Sequence, residues 1–403
     1  MASLTTKSPF SRRVLGMEES ATLRMAQLGR EVQEQGHDVI SLSLGEPDFD
    51  TPEHIKEAAK KALDAGHTKY APVPGINELR QAISKKFKRD NDLHYPPAQI
   101  VVSTGAKQSI ANVCLALLDP GDEAVILGPF WVSYSAMVEV AGGVPVIVGA
   151  GIEDDYKVTA EAIREAITDK TKFILFSSPC NPTGSVYTAE ELTAIAKMLV
   201  DFPDVYVISD EIYEYINFTG AHASIGTNPE VADRTITVNG FSKGFAMTGW
   251  RMGYLGAPLD VAQAVTKIQG QSTSGANTFS QYAAAHALES DLAPTHAMKD
   301  AFERRRKLIV DGLSEIEGMK VNFPKGAFYV FPDVSYFYGK STGDITINNS
   351  DDLAEYLLMH AHVATVTGDA FGAPACLRIS YAASEEQLTE AVARIKRAME
   401  KLK

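Results

Sequence analysis

Hydrophobic and polar positions follow two rhythms through the middle of the chain. Short runs rich in β-branched residues, QIVVS (99–103), EAVIL (123–127), VPVIV (144–148), KFILF (172–176), VYVIS (205–209), TITVN (235–239) and RMGYLG (251–256), are separated by longer stretches with helical spacing. Most of the runs are apolar throughout, the pattern of strands covered on both faces. Between the first two lies AKQSIANVCLALL (106–118), where Ile110, Val113, Cys114, Leu117 and Leu118 recur at helical spacing before the stop signal DPGD. Strand, small-residue turn and helix thus follow in order, and the repeated order predicts an α/β domain on a mostly parallel sheet of seven strands.

The pattern changes near residue 296. MKDAFERRRKLIVDGLSEI (298–316) reads as a long charged amphipathic helix, GAFYVF (326–331) as a strand, and further helix and strand follow, which predicts a smaller α+β unit. Near the start, ATLRMAQLGREVQEQG (21–36) reads as a helix ending at Gly36, and DVISLSLGEPDFDTP (38–52) as extended chain. The expected division is a large domain over 48–295 and a small domain formed by 1–47 together with 296–403.

Charge narrows the partners. The 38 Lys and Arg against 51 Asp and Glu give a net charge of −13, spread along the chain without basic clusters or stripes. Nucleic acid and anionic membrane surfaces are therefore disfavoured, and a small-molecule partner is expected. The same lack of a basic module argues against a ligand-sensing domain of a transcriptional regulator. Cys114, Cys180 and Cys376 are far apart and form no C-x-x-C pattern, so reduced thiols and no metal site are expected. MASLTTKSPFSRR (1–13) has no apolar core of a signal peptide, and no run reaches the roughly 18 apolar residues of a membrane span. The expected location is the cytoplasm.

Candidate chemistry centres on NGFSKGFAMTGWR (239–251). Lys243 follows a buried strand, is flanked by Phe241 and Phe245, and has no acidic neighbour in its own segment. Among apolar groups a lysine amine loses its proton more readily, as a Schiff-base nucleophile requires. An aldolase and a pyridoxal phosphate enzyme both use such a lysine. The cofactor needs in addition an acid for its pyridine nitrogen, a phosphate site, and donors to its phenolic oxygen. Asp210, at the end of VYVIS in SDEIY, suits the first, with a helix cap as the alternative; Tyr213 could reach the phenolic oxygen or pack. The backbone N–H groups of Gly105, Ala106 and Lys107 in STGAKQ (103–108), the hydroxyl of Ser242 and the guanidinium of Arg251 suit a phosphate. Asn181 in SSPCNPTG offers an amide donor or simply a turn, and Trp131 in GPFWVSY a ring to stack or to pack.

With these pieces in view, SLGEPDFDTP (43–52), TKYAPVPGINELR (68–80), NPTG (181–184), SDEIY (209–213) and SKGFAMTGWRMGY (242–254) resemble the fold type I pyridoxal phosphate-dependent aminotransferases of classes I and II, nearly end to end. SATL (20–23), STGAKQ and FWVSY (130–134) make the chain similar to the prokaryotic-type aspartate aminotransferases, a group that includes prephenate aminotransferases. The resemblance implies pyridoxal 5'-phosphate held as a Schiff base to Lys243, with Asp210 on the pyridine nitrogen and Asn181 and Tyr213 on the phenolic oxygen. Trp131 would stack on the ring, and Arg251 with the Gly105–Lys107 loop would hold the phosphate. It further implies a homodimer in which Tyr70 reaches the neighbouring site. Arg378 in CLRISYA and Gly45 match the residues for the substrate α-carboxylate, while Lys107 and Thr22 match those for a distal carboxylate; Thr22 could equally be a helix N-terminal hydroxyl with Ser20. The activity implied is ping-pong transfer of an amino group between L-aspartate and 2-oxoglutarate, with prephenate or a β- or γ-lyase reaction as alternatives. Three departures stand out: Cys180 where many relatives carry asparagine, no proline before the glycine of VTGDAFG (366–372), and Gly240 where some subgroups place a phosphate-binding serine.

Overall fold

The computed structural model describes residues 9–17 and 19–403, apart from the side chain of Arg12. The first eight residues of MASLTTKSPFSRR lie outside them.

All seven apolar runs enter one sheet: β1 (Ile100–Ser103), β2 (Glu123–Gly128), β3 (Val144–Gly149), β4 (Thr171–Ser177), β5 (Tyr206–Asp210), β6 (Thr235–Gly240) and β7 (Gly253–Gly256). Their spatial order is β1-β7-β6-β5-β4-β2-β3. Only β7 runs against its neighbours, β1 and β6; the other pairs are parallel. The central strands are buried along nearly their whole length because helices cover both faces, as uninterrupted apolar runs require. β3 departs from this: it is an edge strand, and Val144 and Ile147 are exposed. RMGYLG is also shorter as a strand than its sequence suggests. Arg251 sits in a turn in the left-handed region, φ 54°, and the strand begins only at Gly253.

A smaller α+β domain packs beside the sheet. Its core joins Met25, Val32, Ile40 and Leu42 from the start of the chain to Phe302, Ile309, Phe328, Leu377 and Ile395 from its end. Ile40–Ser41 pairs in parallel with Val363–Ala364, and a three-stranded sheet is formed by Tyr329–Val330, Leu377–Ser380 and Val366–Thr367. GAFYVF contributes only two strand residues, since Ala327 takes φ 56° and interrupts the extended backbone. The long helix reaches from Ala293 to Ser314 and the N-terminal helix from Ala21 to Glu34, before Gly36 at φ 94°. Among the described residues, no helix is long and apolar enough to cross a membrane.

One edge of the large sheet matters for function. The carboxyl ends of β1, β2, β4, β5 and β6 all lie there, with the start of β7 between β1 and β6. The register sets Ser177 beside Asp210 and Gly240 beside Gly253. In open α/β sheets this edge is where ligands bind.

Candidate active site

A cavity of about 390 Å³ opens at that edge and against the small domain. Lys107, Trp131, Asn181 and Lys243 follow β1, β2, β4 and β6, Asp210 ends β5, and Thr22, Gly45 and Arg378 come from the chain's two ends. The cavity therefore unites residues up to 358 positions apart in sequence, from Ser20 to Arg378.

Lys243 donates a hydrogen bond to the Gly45 carbonyl and lies about 6 Å from the ring centroids of Tyr213 and Phe328. Burial lowers its pKa to about 8; the charges of Arg378 and Arg251 act in the same direction, while Glu46 and Asp210 oppose them. Glu46, which also bonds Thr248, is the acid absent from the lysine's own segment: folding brings it from the SLGEP loop.

Asp210 is 4% exposed. Its Oδ2 accepts a 2.7 Å bond from the Tyr134 hydroxyl and its Oδ1 a 3.2 Å bond from the Ile212 N–H, so it caps the turn that follows β5 as well as facing the cavity. Burial raises its pKa to about 6, against the lowering effect of those two bonds. At neutral pH the carboxylate is thus charged, and a fraction of the lysine is neutral.

The loop after β1 is shaped by missing side chains. Gly105 takes φ 82° at the N-cap of the helix Ala106–Leu117, and a β-carbon there would lie 2.5 Å from Nη2 of Arg251. One on Gly253 would lie 2.2 Å from the Ala106 nitrogen. Arg251, held by a 2.9 Å bond from Nη1 to the Thr248 carbonyl, can therefore lie directly against the helix start, with buried Ser242 on the same wall. Helix N-terminus, guanidinium and hydroxyl together form a donor set for a phosphate dianion.

Arg378 is 2% exposed and packs between the rings of Tyr329 and Phe371, 4.7 and 4.9 Å from their centroids. It donates to Asn181 Oδ1 at 3.1 Å and to the Ser43 carbonyl at 2.5 Å, and its buried Nε has no hydrogen-bond partner among the described residues. Burial lowers its pKa from the ordinary arginine value. The hydroxyls of Tyr213 and Tyr329 meet at 2.9 Å. At the outer end, the Lys107 ammonium lies 4.8 Å from the centroid of the Trp131 ring, and burial, aided by Arg251, lowers its pKa. Thr22 lines the cavity from the first turn of its helix; Ser20 occupies the N-cap position but makes no side-chain capping bond.

Two expected site residues stand apart from the wall. Gly105 contributes through its packing on Arg251, and Tyr70, 97% exposed, lies in a separate surface depression with Thr278 and Phe279. Sequence reasoning also missed wall residues. Tyr134 sits one helical turn beyond Trp131, and that spacing was the available signal. Tyr329, Leu23 and Leu44 had none, because their place depends on how the small domain docks.

The donor cradle, an anionic Asp210 and a depressed lysine fit pyridoxal 5'-phosphate: phosphate, protonated ring nitrogen and aldehyde each meet a group of complementary chemistry. Fold and site thus define a pyridoxal phosphate-dependent aminotransferase. The chain belongs to the family of aminotransferases of class I and II, whose model matches residues 37–395. It is similar to the aspartate/prephenate aminotransferase of Cereibacter sphaeroides, 47% identical over 94% of this chain and 96% of that protein. It is also similar to the bifunctional aspartate aminotransferase and glutamate/aspartate-prephenate aminotransferase of Petunia hybrida, 47% identical over 98% of this chain and 83% of that one. Among solved structures, the aspartate aminotransferase of Rhizobium meliloti superposes with a TM-score of 0.95 at 40% identity, covering 98% of this chain and all of that one.

Proposed function

We propose that the chain carries out ping-pong transamination between L-aspartate and 2-oxoglutarate, giving oxaloacetate and L-glutamate. The observation that carries this reading is the presence of two cations, Arg378 and Lys107, in the same cavity as Lys243: one suits each carboxylate of a dicarboxylic substrate. The names of the relatives support it.

When bound, pyridoxal 5'-phosphate supplies an aldehyde that condenses with amines and a ring that takes up the electron pair released at the substrate α-carbon. Lys243, with a pKa of about 8, provides the neutral amine for attachment and, once displaced by substrate, the general base that moves the α-proton. Asp210 keeps its negative charge down to about pH 6 and so holds a proton on the ring nitrogen. Tyr134 fixes the orientation of that carboxylate. Asn181 and Tyr213 would serve the phenolic oxygen, Trp131 would pack on the ring, and Arg251, Ser242 and the N–H groups of Gly105, Ala106 and Lys107 would hold the phosphate. Arg378, kept rigid by two aromatic faces, and Gly45 receive the α-carboxylate, with Asn181 and Trp131 beside them. Lys107 and Thr22 receive the distal one.

The same reading assigns residues 48–295 to the large domain and 1–47 with 296–403 to the small one. It also assigns a cytoplasmic homodimer in which exposed Tyr70 reaches the partner's phosphate. Prephenate is a second acceptor on this reading, because it too carries two carboxylates and several relatives are named for it.

The test is a half-reaction. L-Aspartate added alone to the yellow holoenzyme removes the cofactor's absorbance stoichiometrically, and 2-oxoglutarate restores it. Bleaching by other amino acids but not by aspartate would overturn the dicarboxylate assignment. Prephenate in place of 2-oxoglutarate decides the second reading.

A further inference from the structure

Behind the wall that carries Asp210 and Tyr213 lies a second group of charges, which the reaction does not use. Chain geometry after β5 divides the residues: Asp210 and Tyr213 line the cavity, whereas Glu211 and Glu214, 1% and 6% exposed, face away from it. Glu214 pairs with fully buried Lys86 and accepts a 2.7 Å bond from Asn91, whose own carbonyl oxygen accepts a 2.6 Å bond from Lys86. Glu211 lies 2.9 Å from Nε2 of His222 and accepts a 2.6 Å bond from Ser224.

Two carboxylates facing one ammonium leave an unbalanced negative charge, which is unfavourable in a buried site. His222, its side chain 6% exposed, is the group placed to balance it. Burial favours the neutral imidazole and Lys86 repels the charged one, but Glu211 and Glu214 outweigh both and hold the pKa above the ordinary histidine value. One ligand atom each from Glu211, Glu214 and His222 lies within 4.8 Å of the other two, close enough to share a metal ion, yet the Lys86 ammonium already meets Glu214.

We propose that protonated His222 completes a neutral buried cluster which sets the charge on Asp210 from behind, making His222 a positioning residue for the reaction. The link is Glu211: its charge pushes Asp210 toward the protonated form, and His222 offsets that charge. The step from cluster to chemistry rests on the reading of Asp210 as partner of the ring nitrogen. A raised folded-state pKa also has a thermodynamic sign: the stability it contributes is complete below about pH 6.5, the unfolded value, and is lost as pH rises through the folded one.

The test uses the full-length holoenzyme with ¹⁵N-labelled histidine, the His222 signal being identified by its disappearance in His222→Gln. His222 keeps its positive charge at pH 7, and a neutral ring at that pH overturns the proposal. In His222→Gln, the pH midpoint of the cofactor's absorbance change moves up by about half a unit because an unbalanced carboxylate then lies near the site. In Glu211→Gln/His222→Gln it returns to the parent value. An unmoved midpoint in a less stable His222→Gln protein means a merely structural role and overturns the proposal, as does a stoichiometric divalent metal in the purified protein. If His222→Gln does not fold, recovery of folding in the double variant supports charge balance and failure of both variants overturns it. Failure of the aminotransferase reading looks different, since no amino acid would then bleach the protein while the charge on His222 could still be read.

Discussion

The two ends of the cavity are built by different means. At the inner end, Lys243 and Asp210 leave adjacent strands of the sheet, and Asp210 and Arg251 are fixed by bonds to Tyr134, the Ile212 N–H and the Thr248 carbonyl. At the outer end, Lys107 rests on Trp131 without an ion-pair partner among the described residues, and Leu23 and Leu44 are 63% and 40% exposed. On the proposed roles, chemistry is placed on strand ends, and discrimination on a helix start and a loop of the small domain. Substitutions at the inner end accordingly reach every substrate, whereas those at the outer end discriminate among them.

The sharpest break is Lys243→Ala, which removes both nucleophile and base: turnover falls by about 10⁴-fold for aspartate and alanine alike, with noncovalent cofactor binding retained, as steady-state kinetics and absorbance will show. The lysine also sets a pH dependence. Its neutral fraction grows until the pH passes about 8, so reattachment of the cofactor to cofactor-free protein speeds up roughly twentyfold between about pH 6.5 and 8.5 and then levels off. Arg378→Ala loses about 10- to 100-fold in kcat/KM for every amino acid, the worth of charge-assisted bonds to a carboxylate. Lys107→Ala reverses the pattern: about tenfold for aspartate and little for alanine. Equal losses for the two would erase the proposed difference between the ends. The mildest is Tyr134→Phe. Loss of one bond to Asp210 costs about three- to tenfold and raises the carboxylate further from its value of about 6, so the acid limb of the pH–rate profile moves to higher pH.

The same contrast explains what could be read from the chain. Strand runs declare themselves locally, and all seven found the sheet, although neither the edge position of β3 nor the turn at Arg251 is written in apolar content. Lys243, Asp210 and Asn181 were legible because each follows a strand whose end faces the cavity. The bond of Tyr134 to Asp210 was not, since it spans 76 residues and joins the helix after β2 to the end of β5, a strand not adjacent to β2. Glu211 and Glu214 give no local signal of their role either, because their partners Lys86, His222 and Asn91 come from other segments. Charge pairing over such distances has no periodicity to announce it.

Gly105 and Gly253 carry a lesson of another kind. On two different elements, each leaves out the one carbon that would collide with its neighbour, at Arg251 in one case and at the Ala106 nitrogen in the other. The phosphate cradle is therefore specified partly by blanks. Even alanine, the smallest addition the code allows at either place, would lift the helix start from the sheet edge or displace the guanidinium, so tolerance at these two positions measures how finely the seat is cut.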